Sequence, residues 1–192
     1  MKKILVLMLA LMMSLLLCAC GNDEAVAPDG KRVAGKAAGN EVVQYSFCYP
    51  EDWELIRNSG TVELKFDCNE SEAVAEYATI SVVGFELTAE DANLTSKQYW
   101  NDKHKSEVEG IYTDFAVLNG EGEEIELGGT VAFEMHYSGK INDRGYYNEQ
   151  IICCRYGTVY LVTLVVPEEY KDKVADALES VIAEFEFDES II

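Results

Sequence analysis

The sequence predicts an α+β domain in which helices are segregated from an antiparallel sheet. Three observations carry that reading. Short alternating apolar runs are separated by turn-forming pairs, one capped helical stretch stands in mid-chain, and a strongly helical periodicity closes the chain.

The first strand expected is "VVQYSFCYP", where Tyr45, Phe47 and Tyr49 share one face and Ser46 and Cys48 the other. Pro50 lacks an amide hydrogen and ends that strand or lies at an edge. "WELIRN", "VELKFD" and "ATISVVGFEL" read as further strands, divided by "NSG" and by polar "NESEAVAEY". In "NLTSKQYWNDKHKSEVEG", Thr95 with Gln98 forms a capping box, and Leu94 with Tyr99 occupies the staple positions. That helix, from Ser96 to about Glu109 with Gly110 at its end, carries a narrow apolar stripe of Tyr99, Trp100 and Val108.

The second half reads as an antiparallel meander. "FAVLNG" and "EEIEL" precede Gly128-Gly129, a two-residue hairpin turn. Val131, Phe133, Met135 and Tyr137 point inward by period two. "KINDRG" and Tyr156-Gly157 turn the chain twice more, into "TVYLVTLVV". That run is apolar on both faces and is expected at the centre of the sheet. Beyond Pro167, the residues Tyr170, Val174, Leu178, Val181 and Phe185 follow helical spacing, and "EFEFDE" adds a last short strand.

The 192-residue chain begins with a short address. Lys2 and Lys3 precede an apolar run, Ile4 to Leu17, too short to span a bilayer as a helix of about 20 residues. It ends in Leu17-Cys18-Ala19-Cys20-Gly21, which resembles a bacterial lipobox. An aliphatic residue stands three before Cys20, a small one just before it, and Gly just after. Cys18 does not fit, because Leu17 would fill its small-residue slot. The resemblance implies cleavage before Cys20, diacylglycerol on its sulfur, and the lipid bilayer as a partner through those acyl chains. Each buried methylene contributes ~0.8 kcal/mol, so two chains anchor stably. The expected division is a signal peptide over 1–19, lipidated Cys20 with a flexible tether over 20–40, and a globular domain over 41–192. The location implied is the outer face of a bacterial cell membrane, with "CGN" most like lipoproteins of Gram-positive bacteria.

Composition excludes some partners. The chain has 15 Lys and Arg against 35 Asp and Glu, a formal charge of −20, and losing Lys2 and Lys3 with the leader makes it more negative. Nucleic acid and anionic lipid surfaces repel such a body. Cys48, Cys68, Cys153 and Cys154 remain besides the anchor. They allow three complete pairings, but the domain is large enough to need no staple, and they are expected as mostly free, buried thiols. Cys153 and Cys154 should point to opposite faces of one strand.

Chemistry is sparse. His104 in "DKHKSE" is expected to be solvated beside Lys103 and Lys105, and His136 alternates away from Phe133, Met135 and Tyr137. The acidic clusters Asp67–Glu72, Glu121–Glu124 and Glu184–Glu189 match no ligand spacing. No catalytic residue, metal ligand or cofactor is assigned from the sequence.

With these elements laid out, the body resembles the PsbP-like family. Its members include the lumenal PsbP subunit of photosystem II, a Ran-GTPase-binding import factor and many bacterial lipoproteins. The likeness rests on "YSFCYPEDW" at Tyr45–Trp53, on the order of strands, helix and antiparallel strands, and on "VYLVTLVVPEEY" running into a helix that ends "AEFEF". It implies an α/β sandwich, a central antiparallel β-sheet flanked by helices on both sides. Tyr49, Pro50 and Trp53 would be structural, and no catalytic motif is implied. The leading functional expectation is a non-enzymatic binding or accessory module for a surface component. The alternative is a lipoprotein that captures a small molecule or divalent cation.

Overall fold

In a computed structural model, described over residues 30–58, 60–69 and 75–191, eleven strands form two antiparallel layers with helices against them. The stretch read as leader and lipobox, with Cys20, lies outside the described residues. The large sheet contains β3 (Glu54–Asn58), β4 (Thr61–Asp67), β5 (Tyr77–Glu86), β6 (Thr113–Val117), β7 (Glu123–Leu127), β8 (Thr130–Ile141), β9 (Arg144–Arg155) and β10 (Thr158–Pro167). Its order is β3-β4-β5-β10-β9-β8-β6, with β7 also paired to β8. A small sheet runs β1-β2-β11, from β1 (Gly30–Gly35), β2 (Tyr45–Pro50) and β11 (Glu186–Phe187).

Three two-residue hairpins set the register of the large sheet. Gly128-Gly129, Asn142-Asp143 and Tyr156-Gly157 all have positive φ at both positions. That is the twist-matched turn that joins antiparallel strands directly. β10 sits between β5 and β9, so the order is not a plain meander: the last long strand inserts beside the earlier β5. This central place explains why β10 is apolar on both faces.

One face of the large sheet presents Leu64, Ile80, Val82, Ile151, Val162 and Leu164 to Tyr45 and Phe47 of the small sheet. Val174, Leu178, Val181 and Phe185 pack on the same core. They follow β10 through a 3-10 segment, Glu168–Lys173, and a helix, Ala177–Ala183. The opposite face presents Phe133, Met135, Tyr137, Ile152 and Val159 to Tyr99, Trp100 and Val108. These last three belong to a helical stretch of an α-turn (Ser96–Tyr99), a π-helical part (Trp100–His104) and a closing α-segment (Lys105–Glu109). The Thr95–Gln98 capping box is formed, with Gly110 at the C-cap. The helices thus cover both faces of the sheet.

Three local expectations are corrected. Part of the stretch read as tether is folded: Gly30–Gly35 is a strand, Val33 and Ala37 are buried, and Ala38 bridges to Phe85. Gly35 is required there, because a Cβ would stand 2.3 Å from the Tyr45 ring. Val131 is 66% exposed, because it borders an open groove beside the helix start instead of lying beneath the helix. His104 is enclosed, with its side chain 13% exposed. Trp100, His104 and Val108 recur at four-residue intervals and share one helix face, whereas the flanking lysines point elsewhere.

The two outer margins of the large sheet are irregular. β3 shifts register against β4 between Leu55 and Arg57. At the far side, β8 is flanked by two separate short strands, β7 along Thr130–Glu134 and β6 along Tyr137–Lys140.

Candidate functional site

Tyr49 and Trp53 are buried, at 6% and 2% exposure, and Pro50 is the last residue of β2. The Trp53 ring lies 5.5 Å from that of Phe66, and Lys31 Nζ donates to the Trp53 carbonyl at 3.4 Å. Cys48, Cys68, Cys153 and Cys154 are free thiols, with Cys153 packed in one core and Cys154 at the edge of the other.

The two histidines are not brought together. His104 stacks on Tyr99 with ring centroids 5.9 Å apart, and its Nε2 lies 3.1 Å from Gln150 Oε1. His136 lies on the other sheet face, where the apolar core gives way to polar residues. Period two along β8 places Glu134 on the same face, and the register with β9 sets Glu149 directly opposite His136. The three ligand-type atoms of Glu134, His136 and Glu149 lie within 4.8 Å of one another. His136 Nε2 is 3.3 Å from Glu134 Oε1. Tyr147 Oη is 3.2 Å from His136 Nδ1 and 3.4 Å from Glu149 Oε2. Glu123 on β7 is directly across from Glu134.

The electrostatics follow from this crowding. The contact with His136 holds the Glu134 carboxyl below its ordinary value, and Glu134 raises His136 in turn. Burial pushes the Glu149 carboxyl up to about 7. Sequence reasoning passed over this group because its members come from two strands. The signal was available: the Asn142-Asp143 turn pairs residues equidistant from it, and His136 and Glu149 are such a pair.

A second feature lies at the end of the sheet near the Tyr156-Gly157 turn. A groove of about 540 Å³ is bordered by Val42, Gln44, Arg155, Tyr156, Tyr160 and Phe187. The Arg155 guanidinium stands 4.8 Å from the centroid of Tyr156 and 4.5 Å from that of Phe187. Arg155 also pairs with Glu189. Tyr156 is 75% exposed and Val42 49%. Of the acidic clusters, Glu70 and Glu72 lie outside the described residues, and Glu123 faces Glu134. Glu121 pairs with Lys97 at 3.8 Å and Glu186 with Arg32 at 3.0 Å.

No protein-family model matches the chain, and no curated protein matches its sequence. Solved structures do match its fold. Cyanobacterial PsbP (CyanoP) from Synechocystis sp. PCC 6803 superposes with a TM-score of 0.55 at 17% identity, over 88% of this chain and 98% of that one. LpqN of Mycobacterium tuberculosis, described as involved in cell envelope biogenesis, gives 0.54 at 14% identity, over 82% and 90%. A Bacteroides thetaiotaomicron protein gives 0.50 at 16% identity; 85% of this chain aligns, but it spans only 50% of that protein's length. Among the described residues no helix is long and apolar enough to cross a membrane. The layered antiparallel sheet with helices on both faces, shared with these structures, makes the fold of this chain PsbP-like.

Proposed function

We propose that the chain is a non-enzymatic accessory module, held at the outer face of a bacterial cell membrane by acyl chains on Cys20, that docks a surface protein. The observation that carries this is the groove at the Tyr156 end of the domain. It offers the exposed Tyr156 ring, held against the largely buried Arg155 guanidinium, and an exposed valine. Aromatic anchors dominate binding energy at protein interfaces. The lipobox at Leu17–Gly21 supports the anchor. A PsbP-like neighbour described as involved in envelope biogenesis supports the setting.

Two measurements test the proposal. Cys20→Ala should release the protein from membranes or leave it unprocessed, while Cys18→Ala should leave processing intact. A photo-crosslinking residue at position 156 should trap one surface protein, and an equivalent residue at exposed Ile111 should not. A fully processed, membrane-bound Cys20→Ala variant would sink the anchor. Equal trapping from both positions would sink the docking surface.

A further inference from the structure

The group at the polar end of the inner sheet face has the composition of a metal site. We propose that Glu134, His136 and Glu149 bind a first-row transition-metal dication, with Zn²⁺ the ion of matched chemistry.

The geometry is close to what such an ion needs. Imidazole nitrogen and carboxylate oxygen bind Zn²⁺ at about 2.0–2.2 Å, so neighbouring ligands in a tetrahedral shell stand about 3.4 Å apart. His136 Nε2 and Glu134 Oε1 are already 3.3 Å apart. The whole set spans no more than 4.8 Å, which small rotations of the two glutamate side chains would close. A fourth position is within reach of Glu123, across from Glu134, or of water.

The surroundings orient the histidine as a ligand. A proton on Nδ1 would be donated to Tyr147 Oη, and the tyrosine hydroxyl would be donated to Glu149 Oε2. This tautomer is assigned from the network. It leaves the Nε2 lone pair directed toward Glu134. Nε2 is shielded from solvent and lies 3.3 Å from Glu134 Oε1, where the protonated ring forms an ion pair and the neutral ring presents its lone pair. A nitrogen lone pair facing a carboxylate is a place for a cation. Metal-bound histidines characteristically give their other ring nitrogen to such a fixed partner.

The donor set also selects among metals. One imidazole with two or three carboxylates suits Zn²⁺ or a neighbouring dication. Ca²⁺ prefers six to eight oxygen ligands and gains little from a nitrogen. Glu121 and Glu186 are instead paired with Lys97 and Arg32, away from any imidazole.

The test is calorimetric titration of the purified full-length chain with ZnCl₂, together with the visible spectrum of its Co²⁺ adduct. Roughly equimolar Zn²⁺ binding is expected, with a Co²⁺ spectrum characteristic of low coordination number. Loss of an outer partner of a metal ligand costs about 10–100-fold in affinity, so Tyr147→Phe should fall in that range. His136→Gln and Glu149→Gln should lose more, and His104→Ala should leave affinity unchanged. Should the His136 variant fail to fold, nuclear magnetic resonance of the native chain decides: the His136 imidazole signals must shift or broaden with Co²⁺ while those of His104 do not. Binding that survives His136→Gln, binding by His104 instead, or no Zn²⁺ binding by the native chain would each overturn the proposal.

Discussion

Tyr160 donates its phenolic hydrogen to Gln44 Oε1 at 2.8 Å, joining the central strand of the large sheet to the segment that leads into β2. Both residues are buried, and the Ala37 amide donates to the same oxygen at 3.2 Å. Tyr160→Phe leaves that oxygen one donor and should cost about 1 kcal/mol. Gln44→Leu strands two buried donors at about 1–3 kcal/mol each and should cost more. Urea unfolding of the two variants checks the order; equal losses would mean the shared acceptor is not what joins the layers.

Leu178 is fully buried between the C-terminal helix and the large sheet. Leu178→Ala should cost about 2–5 kcal/mol, a large part of the ~5–15 kcal/mol that stabilises a domain. Leu178→Asp should abolish cooperative unfolding, because an unpaired charge would be buried. Circular dichroism melts read both outcomes, and a melting temperature unchanged in Leu178→Ala would contradict the packing.

Arg144 Nη2 lies 2.6 Å from Glu76 Oε1 and holds that carboxyl below its ordinary value near 4.5. A carboxyl depressed on folding adds stability above its unfolded pKa and loses that contribution as the pH falls through the folded value. Glu76→Gln should therefore be destabilised at neutral pH, with its deficit against the native chain shrinking in acid. High salt should also narrow the gap. A deficit that is constant from neutral to strongly acidic pH would show that the ion pair is not its source.

Burial pushes the Cys153 thiol up to about 12 and that of Cys154 up to about 11. Since the thiolate is the reactive form, both should resist iodoacetamide in the folded chain at mildly alkaline pH. After denaturation without reductant, Cys48, Cys68, Cys153 and Cys154 should each gain one alkyl group, as intact mass would report. Two blocked pairs would instead reveal disulfides.

The parts of the fold legible in the sequence were those set by local chemistry. The Thr95–Gln98 box, the Gly128-Gly129 turn and the burial of Val174, Leu178, Val181 and Phe185 each require only neighbouring residues. The helix expected from Pro167 is instead a 3-10 segment followed by a short helix, Ala177–Ala183. The insertion of β10 beside β5 was not legible, because alternation identifies a strand but not its distant partner. β1 was missed because "GKRVAG" looks like linker, and its strand character depends on the Tyr45 ring filling the space above Gly35. His104 was misjudged from its lysine neighbours, although helical spacing from Trp100 would have placed it correctly. The Glu134, His136 and Glu149 group needed the hairpin register as well as the alternation.

The broken margins of the large sheet bear on how closely copies of this chain can approach without joining. A long, straight outermost strand offers unpaired amides and carbonyls to any neighbouring chain, which can add to it and begin an aggregate. Here the outer side of β8 is already occupied by β7 and β6, which meet it in two short pieces, and β3 shifts register against its partner. A neighbouring molecule approaching either side finds only short runs to extend. Copies brought close together would therefore meet with each large sheet closed to the next.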